Sequence, residues 1–345
     1  MRHFLLRLCR RLRGTSAPEP NSMFGSIVVR ASHAQVLVRA FYAYLLFLAA
    51  ASIPEFTALA QPREFSLLWP IAWVDVAEPV GSLRFVLGFF LAASVAVAIW
   101  PGPRLVRLAA FVGLLCFAAL KNSEGKIGHS LHLPVLVAIA LIFLPAGWER
   151  RDASRVVRMS VLQVVAATQV LLLLTYSMSG LGKLGGGVYE WLSGQAHPFQ
   201  IDGFSRVVAE RLLQTNSSSV LGRWIIDYPW LGWPLLPGAI YLQTTAVIAA
   251  FRPSLHRLWG AALILFHIGN AFILTIYFPH SIFLLGLFLL ASPFLPSGFD
   301  RRRILMDLPL LSFLSRVIAP RPMIMTPVSP NPKTVTGPGA DRSSR

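Results

Sequence analysis

Residues 157–182 read VRMSVLQVVAATQVLLLLTYSMSGLG, an apolar stretch whose only charged side chain is Arg158. A helix needs roughly 20 mostly apolar residues to cross the hydrocarbon core of a bilayer. An isolated apolar strand would leave its backbone polar groups unpaired in lipid, so such a stretch crosses as a helix. Residues 157–182 therefore predict a transmembrane helix.

Similar apolar blocks recur along the whole chain. Its 345 residues are 55% hydrophobic and 13% charged, whereas about 25% of residues are charged in soluble domains. The composition thus excludes an ordinary soluble protein. It predicts an all-α fold, a polytopic transmembrane helical bundle of about eight spans, at residues 34–53, 83–100, 104–121, 130–146, 157–182, 230–250, 258–278 and 280–296.

The basic residues indicate how these spans are oriented. The chain has 31 Lys and Arg against 15 Asp and Glu, a formal net charge of +16. The Arg clusters lie between alternate apolar blocks, and most acids lie in the other connections, as the positive-inside rule requires. This placement argues against nucleic acid as a partner. We expect a bacterial inner membrane protein with both termini in the cytoplasm.

The chain divides into four predicted regions. Residues 1–29 form a basic cytoplasmic segment, 30–300 the transmembrane domain, 301–318 an interfacial helix and 319–345 a disordered tail rich in Pro, Ser and Thr. Two outer segments, 54–82 and 183–229, are expected to fold over the surface on Trp anchors. The glycines at 185–187 are expected to end the fifth helix. Two cysteines, Cys9 and Cys116, support neither a disulfide framework nor a metal site.

Polar residues at or within the spans are the candidate functional residues, because their burial in lipid is costly. His129 and Ser130 open the fourth span, and Lys183 closes the fifth. His267 lies inside the seventh span, with Asn270 three residues further on the same helical face. The predicted topology brings these segments toward one cavity that opens on the outer side of the membrane.

Each of these residues also has a structural interpretation. Lys183 could extend to the lipid headgroups, and His129 could be an interfacial histidine without a task. His267 and Asn270 could join helices by hydrogen bonds. No role is predicted for His256, which is expected in a cytoplasmic connection.

Three motifs together resemble a known family. GHSLHL (128–133), SGLGKLGGGVYEWLSG (179–194) and FHIGNAFILTIYFPHSIFLLGLFLLASPFLP (266–296) are similar in order and interval to segments of the vitamin K-dependent gamma-glutamyl carboxylase membrane domain. The broader group is the HTTM (horizontally transferred transmembrane) family. The resemblance covers roughly residues 30–300. It departs at Gly128, where the family has Asn, and at Gly182, where it has a second basic residue.

The resemblance implies an enzyme of the carbon–carbon lyase (carboxylase) and quinol oxidoreductase type. In that family a lysine amine deprotonates a reduced quinone, oxygen converts the anion to a strong base, and carbon dioxide adds to the carbanion formed on the substrate. It implies catalytic roles for Lys183, His129 and His267, and quinone contacts for Asn270, Trp191 and Ser130. The implied cofactor is a vitamin K-type or menaquinol-type quinol, without a metal.

The implied partners are membrane lipid, the quinone, and a peptide or small-molecule acceptor on the outer side. Partial burial would disfavour the ammonium form of Lys183 and so favour a free amine as base. Two other functions stay open from the sequence. One is a non-catalytic membrane scaffold or subunit, and the other is a transporter, which the lack of a repeated half disfavours.

Overall fold

The structure is a computed structural model that describes residues 20–54, 68–73, 79–123, 128–296, 298 and 300–310. All regular secondary structure in these ranges is helical, and none of it is strand. The helices are α1 Pro20–Ala51, α2 Pro79–Ile99, α3 Arg104–Asn122, α4 His132–Leu141, α5 Arg155–Leu192, α6 Gly203–Gln214, α7 Val220–Asp227, α8 Pro229–Gly232, α9 Leu235–Thr244, α10 Ala246–Ala250, α11 His256–Leu274, α12 Pro279–Leu285 and α13 Arg301–Asp307.

Four helical segments are long and apolar enough to cross a membrane: Ser26–Ala51, Arg104–Asn122, Arg155–Leu192 and Pro253–Leu274. Three shorter apolar helices accompany them, at Leu83–Ile99, His132–Leu141 and Pro279–Leu290. The chain thus has the helices of a membrane protein, as its composition predicts. By length and composition, the described helices show four such spans, fewer than the eight that the sequence predicts.

Helix α5 lies at the centre of the bundle. It packs against α1, α4, α9 and α10 and against the π-helical turn Gly286–Leu290 that continues α12. One large apolar core joins these helices, and Leu172 and Leu173 of α5 are fully buried in it. At the start of α5, the Ser154 hydroxyl accepts a hydrogen bond from the Val157 amide at 3.4 Å and caps the helix. Residues on different faces of α5 therefore meet different parts of the bundle.

The first difference from the sequence prediction is in α5 itself, which does not end at the glycines at 185–187. It continues through them to Leu192, so that prediction is wrong. Glycine lowers helix stability by only about 1 kcal/mol per residue relative to alanine, and a Cβ added at Gly187 would lie 2.8 Å from side-chain atoms of both Pro198 and Phe199. The glycine lets the returning chain pack directly on the helix backbone.

A second difference concerns His256, for which the sequence predicts no role. It begins α11 and is buried, with Nδ1 2.8 Å from the Ser292 hydroxyl and Nε2 3.2 Å from the Ala250 carbonyl. It therefore joins three segments inside the bundle.

The limits of the remaining regions also differ from the prediction or fall outside the described residues. Helix α1 begins at Pro20, inside the predicted segment 1–29, and α13 covers only the first part of 301–318. Residues 1–19, most of the outer segment 54–82, and the whole tail 319–345 lie outside the described ranges.

Candidate functional site

A cavity of about 410 Å³ opens between α4, α5, α9, α11 and α12. Its wall combines apolar side chains with a larger number of polar ones. The apolar members are Leu133, Phe266 and Phe278, and the polar members are His129, His132, Thr175, Tyr176, Ser179, Lys183, Gln243, His267, Asn270 and Ser281.

Helical spacing explains why α5 supplies several of the polar groups. Tyr176, Ser179 and Lys183 are separated by three and four residues, so they lie on one face of the helix. On α11, His267 and Asn270 are three residues apart and likewise share a face. The two faces meet across the cavity, and all five residues line it.

The Lys183 amine has two hydrogen-bond partners. Its Nζ lies 2.6 Å from Gln243 Oε1 on α9 and 3.2 Å from the Ser179 hydroxyl one turn earlier on α5. It also lies 5.8 Å from the centre of the Phe266 ring, near the outer limit of about 6 Å for a cation–π contact. The residue as a whole is exposed, but the amine is fixed at the cavity wall.

His267 occupies the buried side of the cavity and is only 5% exposed. Its Nε2 lies 2.6 Å from the Tyr176 hydroxyl, and its ring centre lies 4.9 Å from that of Phe278. Its other ring nitrogen, Nδ1, is buried and has no hydrogen-bond partner within the described part of the chain. Most buried polar atoms are paired, so the unpaired Nδ1 of this cavity-lining residue is an exception.

Two further histidines stand at the start of α4. The Nδ1 atoms of His129 and His132 are 3.3 Å apart, and their ring centres are 5.0 Å apart in an edge-to-face arrangement. His129 is exposed, whereas His132 is partly buried. Both line the cavity.

The structure therefore brings together His129, Lys183, His267 and Asn270, which the sequence placed on three distant segments. It does not bring Ser130 or Trp191 to the cavity wall. Because α5 continues past Lys183, Trp191 lies about 12 Å further along the helix at 1.5 Å per residue. Trp191 is 60% exposed, and its ring centre is 6.2 Å from that of His197.

Sequence reasoning overlooked Tyr176 and Gln243, which contact the two residues with the clearest chemistry. The available signal was the same for all of them: a polar side chain within an apolar helix. The contact between Gln243 and Lys183 could not be predicted from a local pattern, because 60 residues separate them.

The described residues contain no group of three or more His, Cys, Asp or Glu side chains that could hold a metal ion. The polar groups on the cavity wall are an amine, imidazoles, a phenol, amides and hydroxyls. Comparison of the chain with protein-family models, curated proteins and solved structures finds no match.

Proposed function

We propose that the chain is an eight-span inner membrane enzyme whose cavity takes a reduced quinone and deprotonates it with Lys183. The observation that carries the proposal is that Lys183 Nζ shares one cavity with His267 and Asn270. A base and separate hydrogen-bonding groups in one cleft are the minimum that quinol activation requires.

The residues present suit a quinol ring. A volume of about 410 Å³ falls within the roughly 300–1,000 Å³ of typical small-molecule sites. Leu133, Phe266 and Phe278 supply apolar contact for the ring faces, and polar groups at the edges can bind its oxygens. A prenylated quinol of the vitamin K or menaquinol type is soluble in the bilayer around such a cavity.

The roles follow from the positions of the groups. Lys183 accepts a proton from the quinol hydroxyl, and His267 and Asn270 bind the ring oxygens from α11. His129 stands at the open side, where an acceptor could approach. The quinol itself, with oxygen, supplies the strong base of the carboxylase-type reaction that the sequence resemblance implies. The acceptor would be a peptide or small molecule on the outer side, with carbon dioxide as co-substrate.

A scaffold function is the competing proposal, and one observation favours it. The Lys183–Gln243 and Tyr176–His267 hydrogen bonds join α5 to α9 and α11, as polar residues do when they hold membrane helices together. In that case loss of Lys183 would weaken the bundle and no quinone would bind.

The test compares Lys183→Ala with the unmodified chain, both purified in lipid nanodiscs. Oxidation of vitamin K hydroquinone to its epoxide or quinone is followed by chromatography, and co-purified quinone is extracted and quantified. We expect turnover to fall by about 100-fold or more, the usual contribution of a general base.

Arg223→Ala is the control, since that side chain is 83% exposed on α7 and lies outside the cavity. It should keep full turnover. Full turnover in Lys183→Ala would contradict the enzyme proposal. Absence of quinone and of turnover in the unmodified chain, together with a lower melting temperature in Lys183→Ala, would favour the scaffold.

A further inference from the structure

The helix that faces Lys183 is interrupted next to it. Helix α9 ends at Thr244 and α10 begins at Ala246, so backbone groups at the break lose their regular partners. The Ser177 hydroxyl of α5 spans the break: it donates to the Gln243 carbonyl at 3.2 Å and accepts from the Val247 amide at 2.9 Å. The break is therefore held in place by α5.

Gly180 sets the separation of the two helices at this point. A Cβ added there would lie 2.7 Å from the Thr244 hydroxyl and 2.9 Å from the Gln243 carbonyl carbon. Only a residue without a side chain allows this approach. On α5, Ser177, Gly180 and Lys183 follow one another at intervals of three residues, so the contact that fixes the break also brings α9 alongside the lysine.

This arrangement places the side chain of Gln243 beside Lys183. It is 3% exposed, and its Oε1 lies 2.6 Å from Lys183 Nζ. Because Oε1 can only accept, the lysine donates one N–H to it. The Ser179 hydroxyl, 3.2 Å away, provides a second acceptor.

The number of acceptors matters because the two forms of a lysine differ in their donors. An ammonium has three N–H groups and no lone pair, whereas a neutral amine has two N–H groups and one lone pair. Gln243 and Ser179 can take both N–H groups of the neutral amine. When both N–H groups are taken in this way, the lone pair points in the remaining direction, away from both acceptors.

We infer that Gln243 is a positioning residue that, with Ser179, turns the lone pair of Lys183 toward the cavity. This inference rests on the proposed function, because it assigns the orientation of that function's base. Gln243 itself does not touch the substrate in this role. Its Oε1 accepts a hydrogen bond from one N–H of the amine and so fixes the direction of that N–H.

Two measurements on the full chain in nanodiscs test the inference. The first is the rate at which acetic anhydride acylates Lys183, read by mass spectrometry, which reports the free amine without any quinone. The second is turnover of vitamin K hydroquinone. The variants are Gln243→Glu and Gln243→Leu. The matched control is Gln195→Glu in the exposed connection that follows α5, and melting temperatures show whether each variant is folded.

In Gln243→Glu, a carboxylate replaces the amide and favours the ammonium form. We expect acylation of Lys183 near pH 8 to fall by about tenfold or more, turnover to fall with it, and both to recover as the pH is raised. In Gln243→Leu the amine loses an acceptor, so kcat should fall by about tenfold while KM stays unchanged, since ring binding is left intact. Gln195→Glu should change neither rate.

The outcomes separate the two proposals. If hydroquinone is turned over but a folded Gln243→Glu chain matches the unmodified one in acylation and turnover, the positioning role is overturned and the enzyme proposal stands. If acylation responds to Gln243→Glu but no chain turns over hydroquinone, the quinol function fails, while the Gln243–Lys183 contact is supported.

Discussion

At the scale of single residues, Arg107 shows how this bundle handles a buried charge outside the cavity. The side chain is 2% exposed at the start of α3. Its guanidinium donates to the carbonyls of Pro101 at 2.9 Å and Leu144 at 2.6 Å, and also to that of Gly102. It thereby joins the turn before α3 to the chain that leaves α4.

Arg107→Met should destabilise the fold substantially. It removes the donor for several buried carbonyls, each of which costs about 1–3 kcal/mol when left unpaired. We expect the free energy of unfolding to fall by about 3 kcal/mol, measured as a lower midpoint of thermal or denaturant unfolding in detergent.

Arg104→Met is the matched control for this prediction. Arg104 lies one turn earlier on the same helix, is exposed, and has its guanidinium 5.6 Å from the centre of the Phe143 ring. Its loss should cost less than about 1 kcal/mol. Equal effects of the two substitutions would show that the buried carbonyl contacts contribute little.

At the scale of elements, the glycines of α5 divide into two classes. A Cβ at Gly180 or Gly187 would meet neighbouring segments at less than normal contact distance, whereas nothing lies within 4 Å of one at Gly182, Gly185 or Gly186. The first two allow close packing, and the other three face open space. Their positions in the sequence do not distinguish them.

Gly180→Ala and Gly182→Ala should therefore differ although only two residues separate them. The first forces α9 away from α5, and overpacking of this kind costs about 1–3 kcal/mol. The second should be neutral or stabilising by up to about 1 kcal/mol, because alanine favours helix over glycine. Thermal unfolding of the two purified variants gives the comparison.

Gly180→Ala should also lower the turnover of vitamin K hydroquinone, because it moves Gln243 away from Lys183. A Gly180→Ala protein as stable as Gly182→Ala would contradict the close approach of the two helices.

At the scale of the whole molecule, the distribution of charge predicts on which side of the membrane each connection lies. Asp152 precedes α5 and Gln195 follows it, and both are exposed. Since α5 is the longest apolar helix in the part of the chain that the structure describes, the two residues should lie on opposite sides of the membrane.

Cysteine labelling tests this orientation. In a chain carrying Cys9→Ser and Cys116→Ser, we introduce Asp152→Cys or Gln195→Cys and treat intact cells with a membrane-impermeant maleimide. Gln195→Cys should react in intact cells, and Asp152→Cys only after permeabilisation. The opposite pattern would reverse the predicted orientation, and labelling of both sites in intact cells would contradict a single crossing by α5.

Much of the helical framework could be predicted from the sequence. A helix in lipid satisfies its backbone hydrogen bonds within its own segment, so an apolar block such as 157–182 predicts a helix without knowledge of its neighbours. The polar residues Lys183 and His267 could be selected for the same reason, since their cost in lipid is a local property.

The partners of those residues were decided by the tertiary structure. Gln243 reaches Lys183 because α9 breaks where Ser177 and Gly180 receive it, and no local pattern encodes that meeting. The close packing of Pro198 and Phe199 on Gly187 likewise depends on how the chain returns to α5. The sequence by itself determined which segments are helical and apolar, because those properties are local. Only the packing of distant helices decided which polar atoms face one another in the cavity.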